Sequence, residues 1–473
     1  EKSRCRILRA AALLAVHRLR FYGMISIRSP GREGEHSNVK IKALAFVLMA
    51  VLLLCGCGQK SETAAATPAQ AVTASAAQSS TVRPVSTGVT PEQFGAKGDG
   101  IADDLQALQA AMQQASASGR PLELTAGAVY RFSSCLGLPS GLTIQGNGAV
   151  LLSDIQYPDL REDRVAVELM KDSDDDRAHD VRLENVTFRA ADSCQANYML
   201  RVMLARNVEF VGCTFDCEPN EWGRCAADLY GGNENIRFEG CVFRQMTSGA
   251  SGGIWVRNWT DRVESRNIRF QNCEFYKSGA DELLAVWGWG GAVRDVVLSG
   301  CSFYETQTQE ALDADHRPVW FITLGQSGTT DVRMEDCTVR AEYCETIFRM
   351  VDDKTRAVVD NCDITMKQPD SMAKHDMKKG ANPMLARGND RADGSTVIQN
   401  SRITLSGDNG RRICYQLSAL KGNTLDVSLG YGIASTKEVS GNTIRGRIRH
   451  KVFQDCSGVE NNNVEVRRFS ILG

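Results

Sequence analysis

The segment "NIRFEGCVF", residues 235–243, decides the fold. It reads apolar-x-apolar, two residues, then apolar-x-apolar, which is two short period-2 strands with a bend between them. The same reading returns in "DVRLENVTF" (180–188), "NVEFVGCTF" (207–215), "NIRFQNCEF" (267–275), "DVVLSGCSF" (295–303) and "DVRMEDCTV" (331–339). Shorter relatives follow in "AVVDNCDI" (357–364), "TVIQNSRI" (396–403) and "VSGNTI" (439–444). The bend residue is Asn185, Gly212, Gly240, Asn272, Gly300, Asp336, Asn361 or Asn400. Gly, Asn and Asp tolerate positive φ best, so one left-handed bend is expected in every copy.

Cysteines at 213, 241, 273, 301, 337 and 362 follow that bend at intervals of 28, 32, 28, 36 and 25 residues. A fixed segment with a variable period predicts loops of differing length inserted at one place per repeat. One such unit cannot bury its own apolar row, but a stack at about 4.8 Å buries a continuous core. Strand-bend-strand plus one further strand, without intervening helices, predicts an all-β chain. It is a single-stranded right-handed parallel β-helix with three strands per coil and about 9–11 coils.

A stack has a raw end that invites edge pairing. The stretch "FGAKGDGIADDLQALQAAMQQA" (94–115) supplies a cap there: turns, then a helix from about Asp104. Asp103 is the expected N-cap with Gln106 at the capping-box position, and Leu105, Leu108, Ala111 and Met112 form the apolar face. With "PLELTAGAVYRF" (121–132), this stretch closely resembles the N-terminal cap of the pectate-lyase superfamily. That group includes polygalacturonase-like and rhamnogalacturonase-like β-helices and phage tailspikes. The resemblance implies the fold and a polysaccharide partner. It leaves the reaction open, because hydrolases, lyases, epimerases and binders share the fold.

The six repeat cysteines are expected to form an inward ladder of free thiols, since stacked Cβ atoms point in parallel and sit too far apart for a relaxed bridge. Cys217 and Cys225, outside the ladder, are candidates for a disulfide. No Cys/His spacing reads as a zinc site.

The third strands read as "YMLRVML" (198–204), "AADLYGG" (226–232), "GGIWVRN" (252–258), "ELLAVWG" (282–288), "VWFITLG" (319–325), "TIFRMVD" (346–352) and "MLARGN" (384–389). Alternation turns Leu200, Val202, Ile254, Val256, Leu284, Val286, Ile322 and Leu324 inward. It turns Arg201, Asp228, Tyr230, Trp255, Arg257, Trp287, Thr323 and Arg349 outward. Aromatic rings suit stacking on sugars, and arginines suit uronate carboxylates. Trp255, Arg257, Trp287, Tyr230, Arg201 and Arg349 are therefore the expected substrate-binding residues. Loops folded over this face to bury the aromatics are the competing reading.

Within the strand set, "SGADELLAVWG" (278–288) resembles the polygalacturonase motif "GDDCIAI". The resemblance implies catalytic carboxylates at Asp281 and Glu282. "SGGIWV" (251–256) stands where the family has "NTDGID" and lacks its Asp. The family's Gly-His-Gly and Arg-x-Lys elements have no match, and His316 in "DADHRP" (313–318) is the nearest candidate, counted with the substrate-binding set. A hydrolase needs one carboxyl to protonate the leaving oxygen and another to activate water or attack. Asp281 and Glu282 with Asp313 or Asp315 are the expected set, with Asp228 in reserve, and hydrolysis is placed slightly ahead of elimination. A lyase would use Arg257 and Arg349, with Asp228 and Asp281 as Ca²⁺ ligands. A hydrolase requires no cofactor. A non-catalytic glycan-binding surface protein is the alternative: it keeps the Trp/Arg face and needs no carboxylate pair.

The 473 residues carry a net charge of −2 with both signs interspersed, which excludes a nucleic-acid binder with a basic stripe. The first Met is Met24, so residues 1–23 are read as lying upstream of the start. Arg28, Arg32, Lys40 and Lys42 precede an apolar run from Ala43 to Leu54, too short to span a bilayer permanently. "LCGC" (54–57) resembles the bacterial lipobox, which implies a lipidated Cys57 and a membrane anchor; an ordinary signal peptide with an incidental Cys is the alternative. The expected division is a leader over 1–57, an Ala/Ser/Thr-rich flexible linker over 58–90, and the β-helix over 91–473. The expected place is the bacterial cell envelope, lipid-anchored and extracytoplasmic.

Overall fold

The computed structural model describes residues 88–156, 164–170, 176–217, 225–244, 253–258, 263–277, 282–288, 290–305, 320–351, 354–369, 383–389, 394–407 and 410–467. The leader, most of the linker, Asp281, Asp313, Asp315 and His316 lie outside these residues.

The chain winds into three parallel sheets. Sheet A has 13 strands, sheet B 14 and sheet C 12, so the stack runs past the coils that carry the repeat motif. Each coil visits A, then B, then C; the coil of Cys213 uses Ala205–Val211, Thr214–Asp216 and Cys225–Gly231. The neighbouring coil follows in parallel register, Phe210 beside Phe238 and Phe215 beside Phe243. This is a right-handed parallel β-helix.

The left-handed bend recurs in all eight expected copies, with φ between 51° and 62°. A second left-handed position opens sheet A at Asp180, Asn207, Asn235, Asn267 and Asp295, with φ between 52° and 56°. Asn267, Asn235 and Asn207 each donate a side-chain N–H to the preceding residue in that row, and the row ends on Asp180.

The A-to-B connection is five and four residues long in the first two coils and two residues long in every coil from Ala178–Glu184 onward, whereas length varies along the stack at both junctions flanking sheet C. Four residues separate Ala341 from Thr346, but fourteen separate Glu305 from Trp320. On the other side, Leu204 alone separates Met203 from Ala205 of sheet A, whereas seven residues separate Arg387 from Ser395. The expectation of a single insertion point is corrected to two, one at each edge of sheet C.

The core is a set of stacks. Phe188, Phe215, Phe243, Phe275 and Phe303 lie face to face at 5.0, 4.9, 5.1 and 4.6 Å. Phe210, Phe238 and Phe270 stack beside them at 4.8 and 5.0 Å. The six repeat cysteines are buried and free. Their thiols donate to carbonyls of the preceding coil, Cys241 to Phe210 at 3.3 Å and Cys301 to Phe270 at 3.4 Å. Cys217 and Cys225 are not disulfide-bonded, so the expected candidate bridge is not made. Further along, Asn423, Asn442 and Asn462 take the position and donate to Ile398, Leu420 and Val439 at 3.0, 2.8 and 2.7 Å.

The cap helix α1 runs Leu105–Ser118 and buries Leu105, Leu108, Ala111, Met112 and Ala115. Its N-cap is Asp104, one residue later than expected. The Asp104 carboxylate instead accepts from the Lys97 and Gly98 amides at 2.7 and 3.0 Å, pinning the glycine turn. Asp103 accepts from the Leu105 amide at 3.2 Å. Among the described residues no helix is long and apolar enough to cross a membrane.

Candidate functional site

Sheet C alternates as expected. Leu200, Val202, Ile254, Val256, Leu284, Val286, Ile322 and Leu324 are all fully buried in the core. On the outer face, strand register aligns Glu168, Arg201, Asp228, Trp255, Ala285, Thr323, Arg349 and Arg387 into one column. Arg257, Trp287 and Gln326 form a second column two residues further along the strands.

Asp228 sits at the centre of the N-terminal half. Its Oδ1 accepts from Arg257 Nε at 2.7 Å, and its Oδ2 from Arg257 Nη2 at 2.8 Å and Arg201 Nε at 3.1 Å. Aromatic rings enclose the two guanidiniums. Arg201 lies 4.3 Å from the Tyr198 ring centre and 5.0 Å from Tyr230. Arg257 lies 4.9 Å from Tyr230 and 4.2 Å from Trp255. Trp255 stacks on Trp287 at 5.4 Å. Cation–π contact of this kind strengthens as water is excluded.

This packing corrects one expectation. The outward residues are not all open: Asp228 and Thr323 are fully buried, and Arg201 and Arg257 retain only 7% and 5% exposure. The long side chains lie along the sheet and cover one another, while Tyr198, Tyr230, Trp255 and Trp287 stay half-buried. Burial disfavours the Arg257 charge, but the Asp228 hydrogen bonds outweigh it and hold the guanidinium above its ordinary pKa.

The C-terminal half is built differently. Glu282 is 8% exposed, accepts from the buried Thr323 hydroxyl at 2.8 Å, and lies 3.6 Å from Arg349. Arg349 rests on the Trp320 ring at 3.8 Å and donates to Gln326. Here burial lowers the pKa of the guanidinium despite Glu282, and Arg387 beside it adds to the lowering. Trp320 and Arg387, which the sequence reading had not singled out, belong to this group.

The structure therefore brings together Arg201, Asp228, Tyr230, Trp255, Arg257 and Trp287, and separately Glu282 and Arg349. Both Asp228 oxygens accept from arginines and the side chain is fully buried, which leaves no open edge for a cation. Asp228 does not fit a Ca²⁺ site, and among the described residues no cluster of three or more Asp, Glu, His or Cys has metal-binding geometry.

The fold is a right-handed parallel β-helix of the pectate lyase-like type. The family described as rhamnogalacturonase A/epimerase, pectate lyase-like, matches residues 89–369, and the chain belongs to it. No curated protein matches. Among solved structures, the surface protein and adhesin PfbA of Streptococcus pneumoniae is 14% identical with a TM-score of 0.51, over 80% of this chain and 97% of that one. The A-module of Azotobacter vinelandii mannuronan C-5 epimerase AlgE4 is 16% identical with a TM-score of 0.42, over 80% of this chain and 100% of that one. ORF18 of Geobacillus virus E2 is 13% identical with a TM-score of 0.45, over 93% of this chain; the match spans 66% of ORF18, just under two thirds of its length. At these identities the likeness is one of fold.

Proposed function

We propose that this protein is an extracytoplasmic β-helix that binds an acidic, uronate-containing polysaccharide along sheet C and cleaves its glycosidic bonds. The observation that carries the reading is the strip of aromatic rings and arginines from Tyr198 to Arg349. It lies on sheet C, whose two edges take the length variation from the Ala178–Glu184 coil onward. Family membership supports it, since the family's description names a rhamnogalacturonase and an epimerase.

In the hydrolytic form of the reading, Glu282 supplies one carboxylate. Its Oε1 already accepts from Thr323, which suits a base or nucleophile better than a proton donor. Asp281, Asp313 or Asp315 supplies the acid. Arg257 and Arg349 would matter most for elimination, by neutralising the uronate carboxylate. A specific observation favours the second reading, a non-catalytic glycan-binding surface protein: Asp228 and Glu282 both face arginines instead of standing as an open pair. In either case the proposed address is a lipid anchor at Cys57, with residues 58–90 as tether. Palmitate labelling that persists in Cys57→Ser would remove it.

The test is incubation of the chain with acidic and neutral polysaccharides, following ultraviolet absorbance of unsaturated products and reducing ends in parallel, with and without chelator. Reducing ends without absorbance, abolished in Asp281→Asn or Glu282→Gln, are expected for hydrolysis. New absorbance would replace that assignment with elimination. Silence on every substrate, with binding weakened in Trp255→Ala, would leave the binding protein standing.

A further inference from the structure

The two halves of the outer face of sheet C differ in charge. In the N-terminal half, Arg201 and Arg257 share Asp228, which meets them with three hydrogen bonds. In the C-terminal half, Arg349 (Thr346–Arg349) stands in register beside Arg387 (Pro383–Arg387). Residues so paired spring from strands about 4.8 Å apart, close enough for two cations to repel unless an anion lies between or over them. The described carboxylate beside them is Glu282, 3.6 Å from Arg349, and its Oε1 also serves Thr323. Arg349 donates one terminal N–H to Gln326, while its buried Nε has no acceptor among the described residues. Arg387 is exposed. The opposite pKa displacements agree with this imbalance: Arg257 is raised by its carboxylate, whereas Arg349 is lowered by burial and by Arg387.

We propose that Arg349 and Arg387 form a subsite for an anionic group of the bound polysaccharide, a carboxylate or a sulfate, with Arg387 the specificity-determining residue. The inference rests on the reading of sheet C as the glycan face. The acidic group is then held on the C-terminal half of the face by Arg349 and Arg387, since Asp228 already meets the central arginines. A planar guanidinium pair suits the oxygens of either anion.

The test uses the full chain and three polymers: polygalacturonate, the same polymer with its carboxyls reduced to alcohols, and dextran sulfate. Titration calorimetry at low and physiological salt is expected to show polygalacturonate bound more tightly than the neutral polymer. Arg387→Gln should weaken polygalacturonate binding by about tenfold, the size of one charge-assisted hydrogen bond, and leave the neutral polymer unchanged. Arg387→Lys, which keeps the charge, should restore part of the loss. The same loss on dextran sulfate would extend the subsite to sulfate; a loss confined to polygalacturonate would assign carboxylate. Equal wild-type affinity for charged and neutral polymers overturns the subsite and keeps the glycan face, as does an Arg387→Gln variant that binds polygalacturonate like wild type. Binding of none of the three polymers overturns the glycan face and the subsite with it.

Discussion

Asp228 is a residue whose direction, but not whose partners, can be read from the strand pattern. Its place in the strand pattern turns it outward, yet both of its oxygens are committed to arginines from the neighbouring coils. Arg201 precedes it by 27 residues and Arg257 follows it by 29, so the pairing depends on inter-coil register and not on any local spacing. The left-handed bend, by contrast, is legible, because Gly, Asn or Asp at one repeat position states the backbone need directly. The second left-handed row was equally visible in the first letters of the repeats, Asp180, Asn207, Asn235, Asn267 and Asp295, and only the fold shows what those letters do. Removing one partner of a buried ion pair leaves uncompensated charge. Asp228→Asn is therefore expected to destabilise the chain by about 3–5 kcal/mol, read as the midpoint of urea unfolding. An unchanged midpoint would mean that water reaches the two arginines freely.

At the scale of the element, the cap couples a loop to the first coils through one carboxylate. Glu92 accepts from the Tyr130 hydroxyl at 2.5 Å and from Thr125 Oγ1 at 2.9 Å, and Tyr130 itself is fully buried. Burial, then Glu92, push the Tyr130 phenol up to about 12. Burial works against the Glu92 charge, but the bonds from Tyr130, its own backbone, Thr125 and Thr90 prevail and hold it below the usual carboxylate value. The signs set two windows. The phenol's contribution is complete below the unfolded tyrosine pKa of about 10 and is lost as pH rises through the folded value. The carboxylate's contribution is present above its unfolded pKa and is lost as pH falls through its depressed folded one. Tyr130→Phe should cost about 1 kcal/mol at neutral pH. An alkaline absorbance titration should show a phenolate ionising near 12 in the wild type that is missing in the variant. A wild-type chain whose tyrosines all ionise together near the ordinary value would refute the coupling. Sequence patterning found this helix and its buried face. It misplaced the N-cap by one residue, because Asp104 and not Asp103 reaches back to the glycine turn.

Along most of the stack, the position after the bend carries a donor aimed at the carbonyl of the coil before, with Val186 and Ser401 as exceptions. A thiol fills it from Cys213 to Cys362, and an amide from Asn423 to Asn462. The cysteines are therefore structural, and buried thiols are poor nucleophiles. Of the thirteen free cysteines described, only Cys135 and Cys456 are half-buried. Burial, then Glu168, push Cys135 up to about 12. A thiol reagent should find at most these two in the folded body and all thirteen after denaturation; rapid reaction of more would show that the coils open readily. The catalytic set was the least legible part, since its expected members fall in the segments that join sheet B to sheet C, where no periodic pattern constrains them. The two-residue bend, constant from the Ala178–Glu184 coil onward, has a consequence for descent. A turn of invariant length makes each coil an interchangeable tread, so duplication or loss of one tread lengthens or shortens the face by a single rung and leaves every neighbour's fit intact. Such a staircase can change the length of polymer it spans by whole steps, while the handrails on either side of sheet C diversify independently.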